Sequence, residues 1–242
     1  MTGETSEASE HPVPRAAEDE LRIAEWQAAY ARVRDLVAAT DDAALEERVP
    51  ACPGWTGREL LAHMVGLGSD VVDGDEPDDH NEAWTQAQVD ARADRSPADL
   101  LAEWAATAPR LVTWMRARGT RPLNDVVIHE QDLRGALDAP GGRDSRGLAL
   151  VREGMAGRVG SKVTDLPPLA LVANDEDWSW CSSGPVEDAA VRLEASGFDL
   201  ARALVSRRTP QQLASWTVTG DVSAYLAAFA HLGPPPDGPL PE

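Results

Sequence analysis

The sequence predicts an α+β protein: a bundle of four helices, then a smaller domain of strands and helices. Three observations carry this. Apolar residues recur at three- and four-residue steps up to about residue 140, the period of a half-buried helix. Two of these stripes begin with complete helix-start signals. After Gly142 the pattern gives way to short apolar runs separated by turn-forming clusters, which is how strands read.

In chain order, residues 1–15 are polar and acidic and read as a disordered tail. Ile23, Trp26, Tyr30, Val33 and Val37 form the first stripe. Cys52-Pro53-Gly54 then reads as a turn into the second helix. Thr56 is placed to cap that helix and Glu59 to complete a capping box, while Trp55 and Leu60 occupy the two positions of a hydrophobic staple. Leu61, Met64, Val65 and Leu67 continue it. The acidic stretch 73–82 reads as a loop, and 83–93 as a further short helix. Ser96, Pro97 and Asp99 signal the start of the helix that carries Leu100, Trp104, Leu111 and Trp114, and Gly119 ends it. The fourth bundle helix begins near Pro122, with Leu123, Val126, Leu133 and Leu137 as core positions, and stops before Pro140-Gly141-Gly142. The bundle thus spans 16–145 and the second domain 146–242. In the latter, 147–159 reads as a linking helix, and 169–173 with 178–180 as a hairpin around Asn174-Asp-Glu-Asp177. Segments 189–193 and 215–219 read as strands and 198–205 as a short helix. Asp221 caps a last helix stopped by Gly233-Pro-Pro-Pro236.

The bulk properties remove several function classes. The formal net charge of -19 repels phosphate backbones and anionic lipid, so neither nucleic acid nor a membrane surface is expected as a partner. No run approaches the ~18 apolar residues of a membrane span, and no apolar segment follows Met1 as a signal peptide would require. Cys52 and Cys181 stand far apart and give no disulfide framework. A soluble cytoplasmic protein is the expectation.

Chemistry is concentrated in the bundle. His63 has Leu60 and Leu67 at helical spacing, and His129 has Val126 and Leu133, so both rings are expected to point inward. A lone inward histidine is more often a hydrogen-bonded core residue than a ligand. Here, however, Asp125 precedes His129 by four residues and shares its face. A His and a carboxylate on one helix with a His from a facing helix is how bundles build metal sites. Asp132, three residues after His129, is either the alternative ligand or a partner that orients an imidazole. Three protein ligands leave one position open, as in catalytic zinc sites. Cys52 lies just before a helix start, where a thiolate is favoured, although a small buried hydrophobe in a tight turn is the commoner case. His80 with Asp78 and Asp79 reads as a solvated charged loop, and His11 lies in the tail. His231 closes the last helix near the negative end of its dipole. Arg207 and Arg208 form a pair of the kind usually found on a surface.

The run Val49-Pro-Ala-Cys-Pro-Gly-Trp-Thr-Gly-Arg-Glu-Leu-Leu-Ala-His63 resembles the opening motif of the mycothiol-dependent maleylpyruvate isomerase family, which belongs to the DinB-like bundles. Asp125-Val-Val-Ile-His-Glu-Gln-Asp-Leu-Arg-Gly-Ala136 resembles its second motif. The resemblance implies a DinB-like four-helix bundle followed by a small domain similar to sterol carrier proteins. It also implies a zinc-like divalent metal on His63, Asp125 and His129. Where the family's characterised type has Glu, this chain has the shorter Asp125. The resemblance further implies an arginine offered to the substrate from the second domain, best matched by Arg207, with mycothiol as the thiol cosubstrate. The expected function is therefore an isomerase or S-transferase in which a thiol adds to a small, electrophilic, acidic substrate. The alternatives are a metal-water hydrolase on the same site and a non-catalytic ligand-binding protein.

Overall fold

The computed structural model describes residues 15–77 and 81–242. The tail expected over 1–15 lies outside these residues except for Arg15, which opens a helix, and His11 and the Asp78-Asp79-His80 group also lie outside. The chain is an α+β protein as the sequence predicts.

Helix α1 (Arg15–Ala38) buries Ile23, Trp26, Val33 and Val37 along one face. After the short α2 (Asp42–Leu45), the strands β1 (Arg48–Val49) and β2 (Cys52–Thr56) pair as a small antiparallel ribbon. The sequence reading of Cys52-Pro53-Gly54 as a plain turn is corrected here. These residues are extended, and Pro53 is tolerated because a two-stranded ribbon has edges where a missing N–H costs no ladder bond. Helix α3 (Gly57–Asp73) begins with the expected capping box. Thr56 Oγ1 accepts from the Glu59 N–H at 3.2 Å and Glu59 Oε2 accepts from the Thr56 N–H at 2.8 Å. Helix α4 (Glu82–Asp90) starts at Asn81, whose side chain accepts from the Trp84 N–H. Helix α5 (Pro97–Arg118) carries the Ser96/Asp99 capping box, and α6 (Pro122–Ala136) follows. Helices α1 and α3 each pack on both α5 and α6, which closes the bundle around Leu60, Leu61, Trp104, Leu111, Leu123 and Leu133; α4 packs on α3.

Helix α7 (Arg146–Lys162) packs on α1 and α6 on one side and on α8 (Gly197–Ala203) on the other, so it joins the two halves. The four-stranded sheet has the order β4-β3-β5-β6, built from β3 (Leu169–Ala173), β4 (Ser179–Cys181), β5 (Val191–Ala195) and β6 (Thr217–Thr219). The hairpin β3-β4 is antiparallel as expected, β3 and β5 run parallel, and β6 closes antiparallel on β5. Helix α9 (Pro210–Ser215) was not foreseen, although Thr209 and Gln212 form a third capping box there. The last helix, Ser223–Ala230, is of the tighter 3-10 type, and Asp221 Oδ1 accepts from the Ser223 N–H at its start. The C-terminal residues run back against the end of α6, where Gly135 makes room: a Cβ there would lie 2.2 Å from the Pro241 carbonyl oxygen.

Because Thr56 satisfies an otherwise orphaned donor of the helix that carries His63, Thr56→Ala is expected to cost about 1 kcal/mol. Urea denaturation measures this, and an unchanged midpoint would show that the capping box does not anchor α3.

Candidate metal centre

Helix α3 supplies His63, and α6 supplies Asp125, His129 and Asp132 at successive turns. The two imidazoles meet edge to face, with ring centroids 5.1 Å apart and planes at 83°. His63 Nε2 lies 3.2 Å from Asp125 Oδ1, and His129 Nε2 lies 3.6 Å from the same oxygen. One donor atom from each of the three residues lies within 4.8 Å of the others. Both inward-facing histidines thus turn the same nitrogen toward one carboxylate.

The opposite nitrogens are each held. His63 Nδ1 is 2.7 Å from Gln88 Oε1, on α4. His129 Nδ1 is 3.0 Å from Asp132 Oδ2. Burial alone would lower the pKa of His63, but the Asp125 carboxylate and the Gln88 bond outweigh it, and the net shift is upward in the metal-free protein. Trp55 covers the other side of His63, with ring centroids 4.9 Å apart, and its indole Nε1 donates to Gln86 Oε1 at 3.0 Å.

The two acids of α6 have different surroundings. Asp125 is partly exposed, whereas the Asp132 side chain is fully buried. Asp132 Oδ1 accepts from Arg202 Nη2 at 2.6 Å and from Arg207 Nε at 3.1 Å, and Oδ2 accepts from Arg207 Nη2 at 2.9 Å. Burial would push this carboxyl up, but Arg207 and Arg202 overcome that and hold it well below the usual carboxylate range. Asp132 is therefore an anion already committed to two guanidiniums and one imidazole. The group Cys52, His129 and Asp132 also brings donor atoms within 4.8 Å, but Asp132 is already neutralised within it.

Cys52 Sγ lies 3.5 Å from Asp132 Oδ2 and 3.7 Å from Arg207 Nη2. Burial, with Asp132 next, pushes its pKa up to about 12 against the pull of Arg207. Of the two readings of Cys52, the small buried side chain is the one that fits: its thiol faces a buried anion, and a thiolate there is disfavoured.

Arg207 and Arg208 are buried rather than on the surface. Besides Asp132, Arg207 gives Nη1 to the Val205 carbonyl at 3.0 Å. Arg208 Nε donates to Asp199 Oδ1 at 2.9 Å, and Arg208 also pairs with Glu242, which pairs with Arg202 as well. His231 Nδ1 lies 3.2 Å from the Ala228 carbonyl, and burial lowers its pKa, so it closes the last helix as a neutral ring rather than as a cation on the dipole.

With this geometry in place, residues 26–134 match the family model of the mycothiol maleylpyruvate isomerase N-terminal domain. That stretch of the chain is similar to the N-terminal domain of that family. It contains the three residues that converge, His63, Asp125 and His129. Two solved structures of the mycothiol-dependent maleylpyruvate isomerase share the fold. A histidine-to-alanine mutant superposes with a TM-score of 0.55 at 17% identity, covering 81% of this chain and 90% of the other. A second structure gives 0.53 at 16% identity, covering 83% and 92%. A comparison with curated proteins returns no match.

Gln88 and Arg202 were not singled out from the sequence. Arg202 had a readable signal, since it lies in a short helix between Leu200, Ala203 and Leu204, where a charge needs a buried partner. Gln88 had none, because an amide on a short polar helix looks solvated.

Removing one side of a buried ion cluster leaves unpaired charge, so Asp132→Asn is expected to cost about 3–5 kcal/mol. Asp125→Asn, at a partly exposed position, is expected to cost less than about 1 kcal/mol in the metal-free protein. Urea melts of the two metal-free variants test this difference, and equal losses would mean that the cations do not depend on Asp132.

Proposed function

We propose that this chain is a metal- and mycothiol-dependent enzyme that adds the thiol to a small, electrophilic, acidic substrate, either isomerising it or transferring the sulfur onto it. The observation that carries this reading is the convergence of both Nε2 atoms on Asp125 while each Nδ1 is held from behind. Two nitrogens and one carboxylate oxygen are a donor set suited to zinc, and they leave a coordination position for a cosubstrate. His63, Asp125 and His129 would hold the metal. The shorter arm of Asp125 does not prevent this, because its oxygen already lies between the two rings. A zinc-type metal, when bound, lowers the pKa of a coordinated thiol so that sulfur is held as thiolate at neutral pH.

The remaining roles belong to the chain. Asp132 accepts a hydrogen bond from His129 Nδ1 and so turns Nε2 toward Asp125. Arg202 and Arg207 keep Asp132 ionised for that task. Trp55 supplies an apolar wall beside His63. Cys52, as a protonated thiol, does not compete with the cosubstrate's sulfur as nucleophile. Arg207 is the cation assigned to the substrate's acidic group. Since Nε and Nη2 are engaged by Asp132, it offers long-range charge more than a free two-pronged grip. The substrate class follows the fold neighbours: small unsaturated keto acids of the maleylpyruvate type. The thiol sulfur would form a C–S bond as the substrate's C=C π bond breaks and its electron pair moves toward the conjugated carbonyl. Isomerisation expels the sulfur again after rotation about the resulting single bond, whereas transfer keeps the C–S bond and places the thiol's proton on the neighbouring carbon.

Purified protein should contain close to one divalent metal per chain by elemental analysis, and His63→Ala should lose it. The wild type should consume maleylpyruvate or a related acid only when mycothiol is present. Absence of metal would reject the site, and turnover without thiol would replace this chemistry with hydrolysis.

A further inference from the structure

The four bundle helices provide the three donors, but the group behind His63 comes from outside them. Gln88 lies on α4 and is only 2% exposed. Its Oε1 sits 2.7 Å from His63 Nδ1, and its Nε2 donates to Asp70 Oδ2 at 2.8 Å. The amide is thereby oriented. Having given its NH2 to a carboxylate, it can present only oxygen to the ring, and an oxygen there requires a proton on Nδ1. That ties the Nδ1 edge of the ring to the amide and leaves Nε2 as the nitrogen that faces Asp125.

The approach of α4 is itself built in. A Cβ on Gly66 would fall 2.5 Å from Gln88 Cβ, so α3 admits the amide only with glycine at that position. Arg92 secures the same residue from its own helix end, with Nη1 donating to the Gln88 carbonyl at 3.1 Å while its other nitrogens hold Glu103. Three elements thus converge to place one neutral side chain.

We propose that Gln88 is a positioning residue for the metal centre: through the Asp70–Gln88–His63 chain it sets the tautomer and aim of His63. This rests on the reading that His63, Asp125 and His129 bind a metal. His129 is backed by an ionised carboxylate and His63 by a neutral amide, so the two imidazoles are not equivalent ligands. An amide behind the ring orients it without adding negative charge, which leaves more of the metal's own charge for the fourth ligand.

The test is zinc affinity by chelator competition, with the cobalt(II) absorption spectrum as a second readout of coordination. Gln88→Leu keeps the bulk and removes the acceptor. Its zinc affinity is expected to fall by about 10–100-fold, with an altered cobalt spectrum. Gln88→Glu sets two carboxylates against each other, whereas the double variant Gln88→Glu with Asp70→Asn restores the pair in reverse, returns an oriented acceptor to Nδ1 and should recover affinity. Gly66→Ala, which displaces α4 without touching the amide, should weaken zinc binding as Gln88→Leu does. A mere packing role predicts lower stability of the metal-free variants with unchanged zinc affinity, and that result overturns the proposal. So does a double variant no better than Gln88→Leu. If the wild type and His63→Ala both bind no zinc, the metal reading itself has failed. If the wild type binds and Gln88→Leu binds equally well, only the role of Gln88 falls.

Discussion

One buried carboxylate organises this molecule. Asp132 is removed from water, and an isolated charge in that position would cost several kcal/mol. It is tolerated because Arg202 and Arg207 reach it across 70 and 75 residues of sequence and because His129 completes its shell. The constraint acts in both directions. The arginines require the anion as much as the anion requires them, so the sheet-bearing half docks onto α6 in the orientation that satisfies this cluster. Glu242 extends the arrangement outward by meeting Arg202 and Arg208 on the side away from Asp132.

The same cluster separates two acids that look alike on a helical wheel. Asp125 and Asp132 lie on the same face of α6 as His129. Asp125 lies on the Nε2 side of His129, facing His63 as well, and Asp132 lies on its Nδ1 side. The division of labour follows from where the guanidiniums arrive, and no local feature of α6 determines it.

That difference marks how much could be read from sequence. The capping boxes at Thr56 and Ser96 were legible because they are reciprocal bonds between residues three apart. The inward turn of His63 and His129 was legible from their apolar neighbours, and the place of Asp125 from its four-residue offset. The ribbon Arg48–Val49 with Cys52–Thr56 was hidden because Pro and Gly signal a turn, and only the register with β1 makes those residues a strand. Gln88 was hidden because nothing on α4 tells where α4 packs. Arg207 was noticed, but the pairing Arg207-Arg208 does not say whether either side chain faces inward; both do.

Residues 26–134 contain every atom that converges between the two rings, whereas both cations on Asp132 lie beyond that stretch. An excised bundle would therefore keep the whole donor set and lose the means of aiming one donor. Its α6 carboxylate Asp132 would lose both cations that balance its charge beside His129. For anyone grafting this arrangement onto another scaffold, the minimal transferable unit is larger than the three converging residues suggest: it includes a pair of distant side chains that touch none of the three.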